Sequence, residues 1–145
     1  MRIGNMVFGV LIAAALMLGT PAWAKDKAAQ PGLTVMMGES WIFRIDNGQP
    51  VDARRAAAGD KPAAAELMVE MKASNGTMLT VTNNGETWYN YRAFLTSGPD
   101  KKGQPTSVCT LMGGGRFAFE MWPNAIPAIR ISDFEPTDEG GMVCR

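Results

Sequence analysis

The stretch LMVEMKASNGTMLTVTNNGETWYNYRAFLT, residues 67–96, decides how the chain folds. Leu67, Val69 and Met71 alternate with Met68, Glu70 and Lys72. Leu79 and Val81 alternate with Thr80 and Thr82. Tyr89, Tyr91, Ala93 and Leu95 alternate with Trp88, Asn90, Arg92 and Phe94. A period of two puts one row of side chains on each face of a strand, whereas a helix needs a period of 3.6. The joints agree. Asn75-Gly76 separates the first two runs, and Asn and Gly tolerate the positive φ that a tight hairpin turn requires. Asn84-Gly85 repeats the signal before the aromatic run.

The same reading extends both ways. Trp41, Phe43 and Ile45 alternate upstream; Phe117, Phe119 and Met121, then Ile129 and Ile131, alternate downstream. Asn47-Gly48 and Gly113-Gly114-Gly115 add turn signals. The map is about eight strands, at 33–37, 40–46, 65–73, 77–83, 87–96, 106–112, 116–122 and 128–133, with a short one at 142–144. Short strands at this spacing indicate an all-β domain, read here as an immunoglobulin-like antiparallel β-sandwich, with a small closed β-barrel as the alternative. The segment 49–64 does not alternate. It can be a helical turn, a poorly paired edge strand or a loop.

The N-terminus has a different character. Arg2, an apolar run from Val7 to Leu18, Pro21 and the Ala22-Trp23-Ala24 triplet have the form of a secretory signal peptide over 1–24. The run is shorter than the roughly 20 apolar residues of a membrane span. Residues 25–32 form a polar, flexible leader, and 33–145 a single β domain. Cleavage before Lys25 leaves thirteen basic and fourteen acidic side chains, one net negative charge. The expected location is periplasmic or secreted, with no membrane insertion after cleavage.

Export into an oxidising compartment makes two cysteines a disulfide, Cys109–Cys144, because a single chain allows no other pairing. The chain contains no histidine. Ser-His or Cys-His catalysis, His-ligated zinc and imidazole switching are thereby excluded. The balanced charge gives no basic patch for a nucleic-acid partner.

If residues 117, 119 and 121 point inward, as Tyr89 and Tyr91 do, then Trp88, Arg92, Arg116 and Trp122 point outward. On one sheet they would form a binding face, since Trp and Arg combine contact area with planar hydrogen bonding. Arg130 belongs to the same outward row. Other groupings carry less. Met36-Met37 and the Met68/Met71 pair read as core filling rather than a copper site, because 68 and 71 face opposite ways on a strand. Arg54-Arg55 is too small for a polybasic patch. Gly113–Gly115 lacks the Lys-Ser/Thr of a phosphate loop. Glu120 and Asp133 are the carboxylates to consider for glycan hydrolysis, which needs two roughly 5–9 Å apart.

The expectation is an exported, non-catalytic binding or structural module of the cell envelope, with no cofactor or metal, recognising a protein or glycan. One form of it is an inhibitor of a cell-wall hydrolase using loops 97–105 and 113–115. The alternative is a carboxylate-based, glycan-active enzyme.

Overall fold

A computed structural model describes residues 28–145. The signal peptide, its cleavage point and residues 25–27 of the leader lie outside the described residues. Nine strands form: β1 Leu33–Met36, β2 Ser40–Asp46, β3 Gln49–Arg55, β4 Leu67–Ala73, β5 Thr77–Asn83, β6 Trp88–Thr96, β7 Gln104–Thr106, β8 Arg116–Trp122 and β9 Ala128–Thr137. They make two antiparallel sheets, a four-stranded one in the order β1-β9-β6-β7 and a five-stranded one in the order β3-β2-β4-β5-β8. The chain is all-β and sandwich-like. The sheets keep separate edges, so the closed barrel does not form.

The turns follow from residue type. Asn47 (φ 47°) and Gly48 (φ 75°) close a two-residue hairpin between Asp46 and Gln49. The pair of left-handed residues matches the twist of the flanking strands. At Asn75-Gly76 the second residue has φ 126°, and a Cβ there would lie 2.1 Å from the Trp122 carbonyl oxygen. Only glycine lets β8 end so close to the β4–β5 turn.

The core lies between the sheets. Phe43, Leu67, Val69, Met71, Leu79 and Val81 face inward from the larger sheet; Val35, Tyr91, Ala93, Ile129 and Ile131 face them from the smaller. The alternation of residues 67–95 is therefore read in the correct phase. Phe134 joins the layers. Its ring stacks on Tyr91 at 5.2 Å and meets the edges of Tyr89 at 5.9 Å and Phe43 at 6.0 Å. Full burial of one such ring stabilises the fold by about 1.5–3 kcal/mol.

Four features narrow or correct the sequence reading. Of the three forms open to segment 49–64, its first part takes the edge strand: β3, held at the sheet edge by the Asn47-Gly48 turn. Residues 106–112 are not a continuous strand. The chain leaves β7 after Thr106 and regains β6 at the Tyr89–Leu111 bridge and through the Thr110 hydroxyl, which donates to Asn90 Oδ1. The C-terminal tail adds one bridge, Cys109–Cys144, rather than a strand. The fourth concerns β8, whose rows are reversed: Ala118, Glu120 and Trp122 face inward, and Phe117, Phe119 and Met121 face solvent. Register dictates this. Ala118 lies opposite the buried Val81 and Glu120 opposite the buried Leu79, and cross-strand partners share a face.

The expected disulfide is present between Cys109 and Cys144, 35 residues apart. The tail beyond Asp138 is further tied by paired backbone hydrogen bonds between Val108 and Arg145, at 2.8 and 2.9 Å.

Candidate binding surface

Arg116, Phe117, Ala118, Phe119, Glu120, Met121 and Trp122 build the largest exposed apolar feature among the described residues. Gly114 (φ 78°) and Gly115 (φ 76°) turn the chain into β8, and Pro123 ends it. β8 pairs with β5 over all seven residues and with no strand on its other side; the 106–112 segment reaches only its inward row, through Trp122, Glu120 and Arg116. No residue of it is fully buried, whereas every second residue of β5 is.

Its outer row stands in water. Phe117 is 61% exposed, Phe119 59% and Met121 55%. The two rings lie 6.4 Å apart. Across the ladder they face Thr82, Thr80 and Met78 of β5. One strand further on the face turns polar, with a Lys72–Glu70 ion pair at 2.9 Å. The apolar row is thus confined to the sheet edge. Single exposed hydrophobic residues are ordinary; a contiguous row on an open edge is a candidate contact site.

The other edges are guarded. β3 carries Pro50, a left-handed Asp52 (φ 50°) at a register shift, and two arginines. Arg54 forms a two-pronged ion pair with Glu66 at 2.7 and 2.8 Å. Arg55 pairs with Glu39 and lies 5.1 Å over the Trp41 ring. β7 has three residues, one of them Pro105, and β1 has four. Proline, bulges, charge and shortness all prevent strand addition. β8 has no proline or bulge and is seven residues long; its two charges, Arg116 and Glu120, lie on the inward row.

Electrostatics differ between the two outer strands of the larger sheet. At β3, the Arg54 guanidinium, helped by the Ala63 amide, holds Glu66 at about 2. Glu39 is also lowered: burial opposes ionisation, but hydrogen bonds from Trp41, Met36 and Arg55 outweigh it. At β8, Arg116 and Glu120 have no ion-pair partner among the described residues. Glu120 Oε1 accepts a 2.8 Å hydrogen bond from the Cys109 amide. Burial, and then the Glu120 charge, raise the Tyr91 phenol well above its ordinary value.

The four candidate residues do not share a sheet. Trp88 and Arg92 lie on β6, on the outer face of the smaller sheet. Arg116 and Trp122 lie on β8 of the larger one. Arg92 lines a cleft of about 280 Å³ with Phe94, Thr106 and Arg145. Arg116 is exposed at the start of β8. Trp122 is half-buried against the core, its Nε1 donating to Thr106 Oγ1 at 2.9 Å. Arg130 is buried. Its guanidinium donates to the carbonyls of Pro31 (2.8 Å) and Lys102 (2.7 Å) and lies 4.2 Å over Phe94, so residues 30–32 and the loop 97–103 cover it.

The two carboxylates are also separated. Asp133, on β9, accepts from Gln49 Nε2 and Ser132 Oγ, while Glu120 holds the backbone beside the disulfide. Their strands, β8 and β9, belong to different sheets. Among the described residues no group of three or more Cys, Asp or Glu side chains is placed to hold a metal ion, and no helix is long and apolar enough to cross a membrane.

The sequence reading turns Phe117, Phe119 and Met121 inward because an apolar row ordinarily signals core, and the structure exposes them. The available signal was the opposite row, where Ala118 and Trp122 are also compatible with burial. Comparison with protein-family models, with curated proteins and with solved structures finds no match to this chain.

Proposed function

We propose that the chain is an exported, non-catalytic protein-binding module of the cell envelope, and that β8 is its contact strand. The observation that carries this reading is the contrast between edges: β3 is closed to strand addition by proline, bulge and arginine, and β8 is left open with an apolar row. A protein is favoured over a glycan because the row consists of Phe and Met without the hydrogen-bonding groups that read sugar hydroxyls. Main-chain hydrogen bonds at the edge and alternate side chains would act together, as in β-strand addition. Arg116 of the original candidate face belongs to this surface. Trp88 and Arg92 form a separate patch.

The exported location rests on the A-x-A leader and on a disulfide of the kind oxidising compartments sustain. The scaffold is read as immunoglobulin-like, supported by two antiparallel layers around the Phe43–Tyr91–Phe134 aromatic group.

Photo-crosslinking in living cells tests the reading. A benzophenone side chain at position 119 is expected to capture protein adducts. The same group at position 92, on the smaller sheet, is expected to capture none. Adducts at 92 alone, or at neither position, would overturn it.

A further inference from the structure

We propose that the partner of β8 is a second copy of this chain, the two strands pairing antiparallel about a two-fold axis at Ala118; this rests on β8 being the contact strand. Residues 116–120 read Arg-Phe-Ala-Phe-Glu. Reversed about Ala118, the segment is its own complement. Arg116 falls opposite Glu120 of the other copy, twice. Phe117 falls opposite Phe119, twice. Ala118 meets itself. A two-fold interface must be self-complementary in this way, each residue contacting its counterpart's partner.

The charges of β8 point to this register. Arg116 and Glu120 are on the same face of β8, and neither has an ion-pair partner among the described residues. Glu120 uses Oε1 for the Cys109 amide, which leaves Oε2 for the incoming guanidinium. Moving the axis one residue, to Phe119, would set Arg116 against Trp122 and Glu120 against Ala118, and match no charge. With the axis at Ala118, Met121 lies opposite Gly115, whose lack of a side chain makes room for it.

Size sets the strength. Three side chains more than half exposed, together with the strand edge, offer a few hundred Å² per copy, below the roughly 800 Å² per partner of a standard interface. An interface of that size belongs to the weak, transient class.

Sedimentation velocity of the full chain, purified as the host cell processes it, tests this between 1 and 200 µM. A monomer–dimer equilibrium is expected. Arg116→Glu replaces two attractions with two repulsions and should weaken it at least tenfold. Phe119→Lys should abolish it, with the near-ultraviolet circular dichroism unchanged. An equimolar mixture of Arg116→Glu and Glu120→Lys chains restores both opposite-charge pairs and should associate again as a heterodimer. If Glu120→Lys does not fold, the other two variants decide. A folded chain still monomeric at 200 µM, or a dimer indifferent to Arg116→Glu and Phe119→Lys, would overturn the proposal. The crosslink at position 119 separates the two levels. An adduct of twice the chain mass supports self-pairing. An adduct with a different protein alone leaves the contact strand standing and removes the second copy.

Discussion

Arg130 shows what a single side chain does in this fold. Its charge is taken out of water without an ion pair among the described residues. Two backbone carbonyls, from Pro31 and Lys102, and the Phe94 ring replace part of the lost hydration, while Nε is buried with no hydrogen-bond partner among the described residues. Burial pulls its ionisation down, and Asp133 opposes that. The side chain thus fastens the segment before β1 and the loop after β6 onto β9. Arg130→Met keeps much of the packing but abandons both carbonyls, and should lower stability by about 2–3 kcal/mol in urea denaturation. Arg130→Lys should recover little, because one ammonium cannot reproduce a planar fork that reaches two acceptors. Equal stability of wild type and Arg130→Met would show that the carbonyls find water instead. Nothing in the sequence marks Arg130 as buried. An arginine between Ile129 and Ile131 on an alternating strand reads as outward, and it is outward; the cover comes from segments far along the chain.

At the scale of elements, β3 and β8 are opposite edges of one sheet held by different means. β3 depends on carboxylates. Glu66 lies at about 2 against an ordinary 4.5, and Glu39 is lowered as well. A carboxyl whose pKa falls on folding stabilises the fold fully above its unfolded value, and that contribution drains away as the pH drops. The window for Glu66 runs from about 4.5 down to about 2. Hydrogen exchange followed between pH 5 and 2.5 should therefore show β3 amides losing protection before those of β4 and β5. Simultaneous loss across the sheet would contradict this. The elements also show what a sequence can and cannot display. Period two located β2, β4, β5 and β6 and put Tyr89, Tyr91, Ala93 and Leu95 on the correct face. It could not orient β8, because alternation gives two rows without saying which is inside when both contain apolar residues. Only the pairing with Val81 and Leu79 decides. β3 was legible in principle. The Asn47-Gly48 turn announces a hairpin, and a hairpin needs a second strand, but Pro50 and the bulge at Asp52 hide its alternation.

For the molecule as a whole, the tail is part of the structure through Cys144. The cystine closes a loop spanning 35 residues, from the segment beside β6 through β8 and β9 to the C-terminus. Constraint of the unfolded chain by such a loop is worth roughly 3–4 kcal/mol. Cys109→Ser with Cys144→Ser should lower the unfolding free energy by about that amount, measured by denaturant titration of the oxidised chain against the double variant. A loss under about 1 kcal/mol would show that the Val108–Arg145 hydrogen bonds hold the tail unaided. The pairing was legible from a count of two cysteines and the inferred export. The separation of Trp88 and Arg92 from Arg116 and Trp122 was not, since strand order within and between sheets depends on contacts that local pattern does not encode.

The guarded edge at β3 has a further consequence. When two copies join through β8, each uses its one open edge, and the ten-stranded sheet that results ends at both sides in β3. Pro50, the kink at Asp52 and the paired arginines are then the outermost features of the assembly. Growth stops at two. A chain with both edges open could polymerise without limit into a fibre; this one carries its own terminator.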